Sequence, residues 1–113
     1  MADFNKVLDP GKVDQGLVNT VVEISQGSTL KIEWDRKRAV FMLDRVESRI
    51  FSKPCNYGFI PGTIDDDGDE LDTLIVCPEA LPTGIWLEAR ILGVLNFEDD
   101  GDMDYKVVVV PAD

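Results

Sequence analysis

The chain has 113 residues, 44% of them hydrophobic, with 22 acids against 11 bases and no histidine. That length and hydrophobic fraction describe one globular domain, while a net charge of −11 repels nucleic-acid phosphates and anionic membranes. Without histidine, the common zinc sites, Ser-His-Asp triads and Cys-His pairs are excluded, so carboxylates, lysine, arginine and tyrosine must carry any chemistry.

Residues 1–14 are polar, contain Pro10 and Gly11, and read as a flexible N-terminal arm. They lack the basic-then-apolar order of a signal peptide, and no apolar run reaches the length of a membrane span, so a cytoplasmic protein is expected. Short β-branched and aromatic runs then follow at 19–25 (NTVVEIS), 29–35 (TLKIEWD), 38–43 (RAVFML), 73–77 (TLIVC), 85–95 (IWLEARILGVL) and 104–110 (DYKVVVV). Turn chemistry separates them at 26–28 (QGS), 61–63 (PGT), 67–69 (DGD), 82–84 (PTG) and 100–102 (DGD). The pattern predicts a small antiparallel sandwich or barrel with no amphipathic helix of useful length. In the run at 30–35, Leu30, Ile32 and Trp34 face one way and Lys31, Glu33 and Asp35 the other. The charged face is either solvated or turned into a polar cavity. Trp34, Trp86, Phe41, Phe51 and Phe59 read as core or interface. Cys55, in a turn, and Cys77, on a buried strand, are expected to be reduced.

The acids are not spread evenly. Residues 65–72 (DDDGDELD) hold six carboxylates and residues 98–104 (EDDGDMD) hold five, together half of the 22 acids. Crowded carboxylates repel one another, so a positive partner is expected. A calcium loop of the EF-hand type fails: with Gly68 at its sixth position the twelfth is Leu74, and with Gly101 sixth the twelfth is Val107, where glutamate is required. The remaining reading is a site of hard divalent cations shared between two loops, completed by an anionic substrate and cationic side chains such as Lys31, Arg45 and Lys106. Asp104 and Lys106, two apart, project from one strand face.

At these residues the chain resembles the soluble, magnesium-dependent, single-domain inorganic pyrophosphatases. Their signature of Asp-Gly-Asp-Pro/Glu, an apolar residue and Asp reads here Asp-Gly-Asp-Glu-Leu-Asp at 67–72. The blocks at 21–24 (VVEI), 31–35 (KIEWD), 43–45 (LDR) and 54–63 (PCNYGFIPGT), and the acidic block ending in Lys106, are similar to the family's in the family's order. The resemblance runs from about residue 15 to residue 113. It implies an all-β core, a five-stranded closed OB-like barrel, which is α+β in the full-length family, and pyrophosphate hydrolysis to two orthophosphates by metal-activated water. It implies Asp69 as the general base. Asp67, Asp72 and Asp104 would hold a first metal, Asp72 would bridge to a second, and Asp99 and Asp104 would take the metals that arrive with substrate. Glu23 and Glu33 would make accessory metal contacts, while Lys31, Arg45, Tyr57 and Lys106 would grip the phosphates, with Tyr57 at the reacting centre.

Several Mg²⁺ ions, with Mn²⁺ as a substitute, pyrophosphate and phosphate as ligands, and a homo-oligomer, hexameric in bacterial relatives, are implied in the same way. Three positions depart from the family: Ser25, Thr73 and Lys53, the last where many bacterial members carry tyrosine. Relatives also continue past the valine strand into a C-terminal helix that this 113-residue sequence does not contain. The expectation is therefore one C-terminally truncated barrel domain at 1–113. Two other readings stand beside the enzyme: a catalytically inactive metal-binding barrel fragment, and a cation-binding module unrelated to phosphate.

Overall fold

Runs of valine, isoleucine and threonine favour extended backbone because branching at Cβ suits a pleated surface, and such runs supply most of the seven strands found among the described residues. The computed structural model describes residues 3–63, 68–99 and 101–113, apart from the side chains of Asp99 and Asp102. A one-turn helix α1 (Phe4–Val7) precedes β1 (Leu17–Ile24), β2 (Leu30–Asp35), β3 (Val40–Val46), β4 (Asn56–Ile60), β5 (Leu71–Ile75), β6 (Trp86–Asp99) and β7 (Asp102–Pro111). Five of these form one sheet in the order β1-β4-β5-β7-β6, and β6 pairs back onto β1, so each strand has two neighbours. β2 and β3 form a separate hairpin.

Side-chain alternation divides the packing in two. Val18 and Val22 of β1 join Ile60, Ile75, Ala89, Val107 and Val109 in one buried cluster. Val21 points the opposite way and packs with its cross-strand partner Phe59, and with Trp34 of the hairpin and Phe4 of α1. The Trp34 and Phe59 rings stack at 5.6 Å, and Phe4 lies 5.1 Å from Trp34. The hairpin is thus held against the sheet by aromatic contact, which sets its charged residues beside the sheet's edge. The departure at Thr73 is accommodated inside: its hydroxyl is 2.7 Å from that of Thr20, which donates to the Phe59 carbonyl at 3.1 Å. Ser25 donates to the Leu81 carbonyl at 2.6 Å.

Four expectations require correction. Strand β4 was not anticipated, because Pro54, Pro61 and Gly58 make its sequence read as a turn. Gly58 serves close approach instead, since a Cβ there would lie 2.3 Å from the Val21 carbonyl oxygen. The sheet is not wholly antiparallel: β5 and β7 run parallel, with Asp72 opposite Lys106. Part of the segment read as an arm is tied down, with Phe4 only 9% exposed and Asn5 Oδ1 accepting from the Gly62 N–H at 2.7 Å. Cys77 falls just beyond β5, half-buried and free like Cys55. Of the five aromatic residues read as core or interface, Trp34 and Phe59 are buried, whereas Trp86 and Phe51 are exposed. No helix among the described residues is long and apolar enough to cross a membrane.

Candidate active site

Strand period and register bring polar side chains from five strands and one turn to one place. Lys31 and Glu33, on one face of β2, form an ion pair at 3.2 Å. Glu23 comes from β1, Tyr57 from β4, Asp72 from β5, Asp104 and Lys106 from β7, and Asp69 from the turn before β5. All eight line a single cleft of about 470 Å³. The question left open at 30–35 is answered by the hairpin: Lys31 and Glu33 turn into this cavity.

The parallel pairing of Asp72 with Lys106 puts the ends of the two acidic stretches side by side. The Lys106 ammonium donates to Asp72 Oδ2 at 2.6 Å and lies 2.9 Å from Asp104 Oδ2. Burial works against its charge, yet the hydrogen bonds to Asp72 and Asp104 outweigh that penalty and hold Lys106 above the ordinary lysine range. Glu23 behaves oppositely. Burial, reinforced by the charges of Asp72, Glu70 and Glu33, raises its carboxyl to about 7, although the Trp34 backbone N–H donates to it at 2.8 Å. Burial also pushes the Tyr57 hydroxyl up, so it remains a neutral hydrogen-bond donor at neutral pH.

Not every expected residue joins them. Arg45 sits on β3 opposite Lys31, is 61% exposed, does not line the cleft, and lies 3.5 Å from Asp44 and 3.6 Å from Glu47. Asp67 lies outside the described residues, as does the side chain of Asp99, whose backbone ends β6 opposite Asp102. Two cleft residues escaped the sequence reading of site roles, Lys53 and Glu70. Glu70 is 7% exposed and accepts from Asn5 Nδ2 at 2.6 Å and Arg36 Nε at 3.1 Å. Arg36 also donates to the Gly68 carbonyl, so the turn between β2 and β3 grips the second acidic half of 65–72. Nothing in the local sequence separates Glu70 from its acidic neighbours, or Arg36 from the basic turn around it. Lys53 had a signal, as a charge in a position where the family carries tyrosine.

Among the described residues no group of three or more acidic or thiol side chains forms a cation cage. The donor chemistry nevertheless suits hard cations. Every titratable acceptor in the cleft is a carboxylate or phenol oxygen, and Asp72 and Asp104 already converge on one positive point, the Lys106 ammonium.

A β-sheet cleft in which carboxylates stand among lysines and a tyrosine has the side chains to receive hard cations together with a multiply charged anion. Comparison with known proteins narrows this. Residues 20–113 match the family described as inorganic pyrophosphatase. The chain is 62% identical over all 113 residues to the inorganic pyrophosphatase of Neisseria meningitidis serogroup B, and spans 64% of that protein's length. It superposes on the inorganic pyrophosphatase of Neisseria gonorrhoeae with a TM-score of 0.95 at 60% identity, over 97% of this chain and 64% of that one. The Thermus thermophilus enzyme gives 0.89 at 38% identity, over 99% and 64%. The chain belongs to the inorganic pyrophosphatase family.

Proposed function

We propose that this chain carries the catalytic cleft of an inorganic pyrophosphatase, a five-stranded closed OB-like barrel that hydrolyses pyrophosphate to two orthophosphates. The observation that carries the reading is the meeting of Asp72 and Asp104, far apart in sequence, on one Lys106 ammonium within a cleft also lined by Lys31 and Tyr57. Asp67, Asp72, Asp99 and Asp104 would hold the metal ions, with Glu23 and Glu33 as accessory ligands. Mg²⁺ is the metal of this reading, with Mn²⁺ as a substitute, and when bound it supplies charge neutralisation and a lowered pKa for water.

The chain's own groups do the rest. Asp69, 77% exposed at the cleft margin, takes the proton from the attacking water as general base. Lys31 and Lys106, joined by Arg45 from the strand beside Lys31, neutralise the phosphate oxygens, and the neutral Tyr57 hydroxyl donates to one of them. Holding both ends of the substrate in line for attack is most of what phosphoryl transfer requires of a protein. The same reading makes the protein a cytoplasmic homo-oligomer.

Orthophosphate release from pyrophosphate tests this. We expect release that depends on Mg²⁺, and at least a roughly hundredfold lower rate in Asp69→Asn with metal binding retained. Metal binding without release at any Mg²⁺ concentration would instead establish an inactive metal-binding fragment. Full turnover in Asp69→Asn would remove that residue from its role.

A further inference from the structure

Lys53 is held far more tightly than a solvent-facing lysine requires. Its backbone N–H donates to the Ser28 carbonyl at 3.2 Å and its carbonyl accepts from the Gly27 N–H at 2.9 Å, fixing it to the turn between β1 and β2. Its side chain is 17% exposed, with Nζ 2.9 Å from Glu47 Oε1 and 5.8 Å from the centroid of the Tyr57 ring. That geometry is a cation–π contact, and both Lys53 and Tyr57 line the cleft.

Glu47 is the second half of the arrangement. It is 13% exposed and uses its other oxygen, Oε2, toward Arg45 Nη2 at 3.6 Å. The hydrogen bond from Lys53, with the charges of Lys53, Arg45 and Lys31, holds its carboxyl below the usual glutamate range. One carboxylate therefore stands among three cations in a chain whose acids outnumber its bases 22 to 11. Asp44 and Glu33 also pair with Arg45 and Lys31, but both are more exposed than Glu47, at 37% and 45%. Lys106, by contrast, is occupied by two carboxylates of its own.

We propose that Lys53 is an anion-binding residue of this cleft, taking a phosphoryl oxygen of a diphosphate, and that Glu47 is a positioning residue that aims Lys53 and Arg45 together. The proposal rests on the pyrophosphate reading above. An oxygen arriving at Nζ adds to the Glu47 contact without replacing it, because an ammonium has three donors. The Tyr57 ring keeps the lysine stem directed into the cleft.

The test is calorimetric titration of the chain, in saturating Mg²⁺, with methylenediphosphonate, a diphosphate analogue that cannot be hydrolysed. Lys53→Met is expected to weaken binding about tenfold, and Lys53→Arg by no more than about threefold. Glu47→Gln is expected to weaken binding about threefold alone and by less than that in a Lys53→Met background, where only Arg45 is left for it to aim. That double variant also removes the ion pair as a unit, so it folds without a stranded buried charge. A merely structural ion pair would change the melting temperature and leave diphosphonate affinity alone. Equal affinity in the wild-type chain and the double variant overturns the proposal while leaving the pyrophosphate reading intact. Absence of any diphosphonate binding to the wild-type chain overturns both.

Discussion

Glu23 shows what burial beside other acids does to a carboxylate. Its carboxyl titrates near 7 in the folded chain, against 4.5 for an ordinary glutamate, so between these values the folded state holds a proton that the unfolded state has released. The sign follows from linkage: this contribution is fully present below about 4.5 and is lost as pH rises to about 7, amounting to roughly 3 kcal/mol. In chelator, the urea midpoint should therefore fall across that window, and Glu23→Gln should remove most of the fall. Equal slopes in the two proteins would show that Glu23 is not held protonated. At this scale the acids were legible in sequence because they are clustered. The partners of the acids were less so: Arg36 finds Glu70, and Lys53 finds Glu47 and Tyr57, through turns that only the folded chain brings together.

The elements act chiefly by holding the residues that line the cleft. The hairpin β2–β3 is fixed through Trp34, and α1 completes that aromatic cluster with Phe4, placing Asn5 where it bonds both Gly62 and Glu70. Asn5 thereby links Gly62 to Glu70. Phe4→Ala should cost about 3 kcal/mol in chemical denaturation, as expected for a buried phenylalanine. A change below about 0.5 kcal/mol would return residues 3–8 to a loose arm. Six of the seven strands were legible from β-branched runs and turn residues, with ends shifted by a few positions. β4 was not, because its reason lies across the sheet: Gly58 is needed by the Val21 carbonyl, and Asn56 is buried, accepting from the Gln26 and Leu81 backbones. The parallel pairing of β5 with β7 was equally illegible, since local periodicity carries no information about strand direction.

Across the whole molecule, the five-stranded sheet is what brings the ends of two acidic stretches into one cleft. Parallel pairing of β5 with β7 sets Asp72 beside Lys106, and antiparallel pairing of β6 with β7 sets Asp104 opposite Phe97 near the start of β7. The chain spans 64% of the length of its Neisseria meningitidis relative, and the described part of the cleft already contains acids, lysines and tyrosine in one cavity. The most direct measurement is Mn²⁺ binding followed by electron paramagnetic resonance, with methylenediphosphonate present, for Asp72→Asn, Asp104→Asn and the double variant. If the two carboxylates serve one centre, each single substitution weakens binding about tenfold or more and the double variant is scarcely worse than the weaker single. Losses that simply add, or Mn²⁺ affinity untouched by either change, would contradict a common centre built from the two acidic stretches.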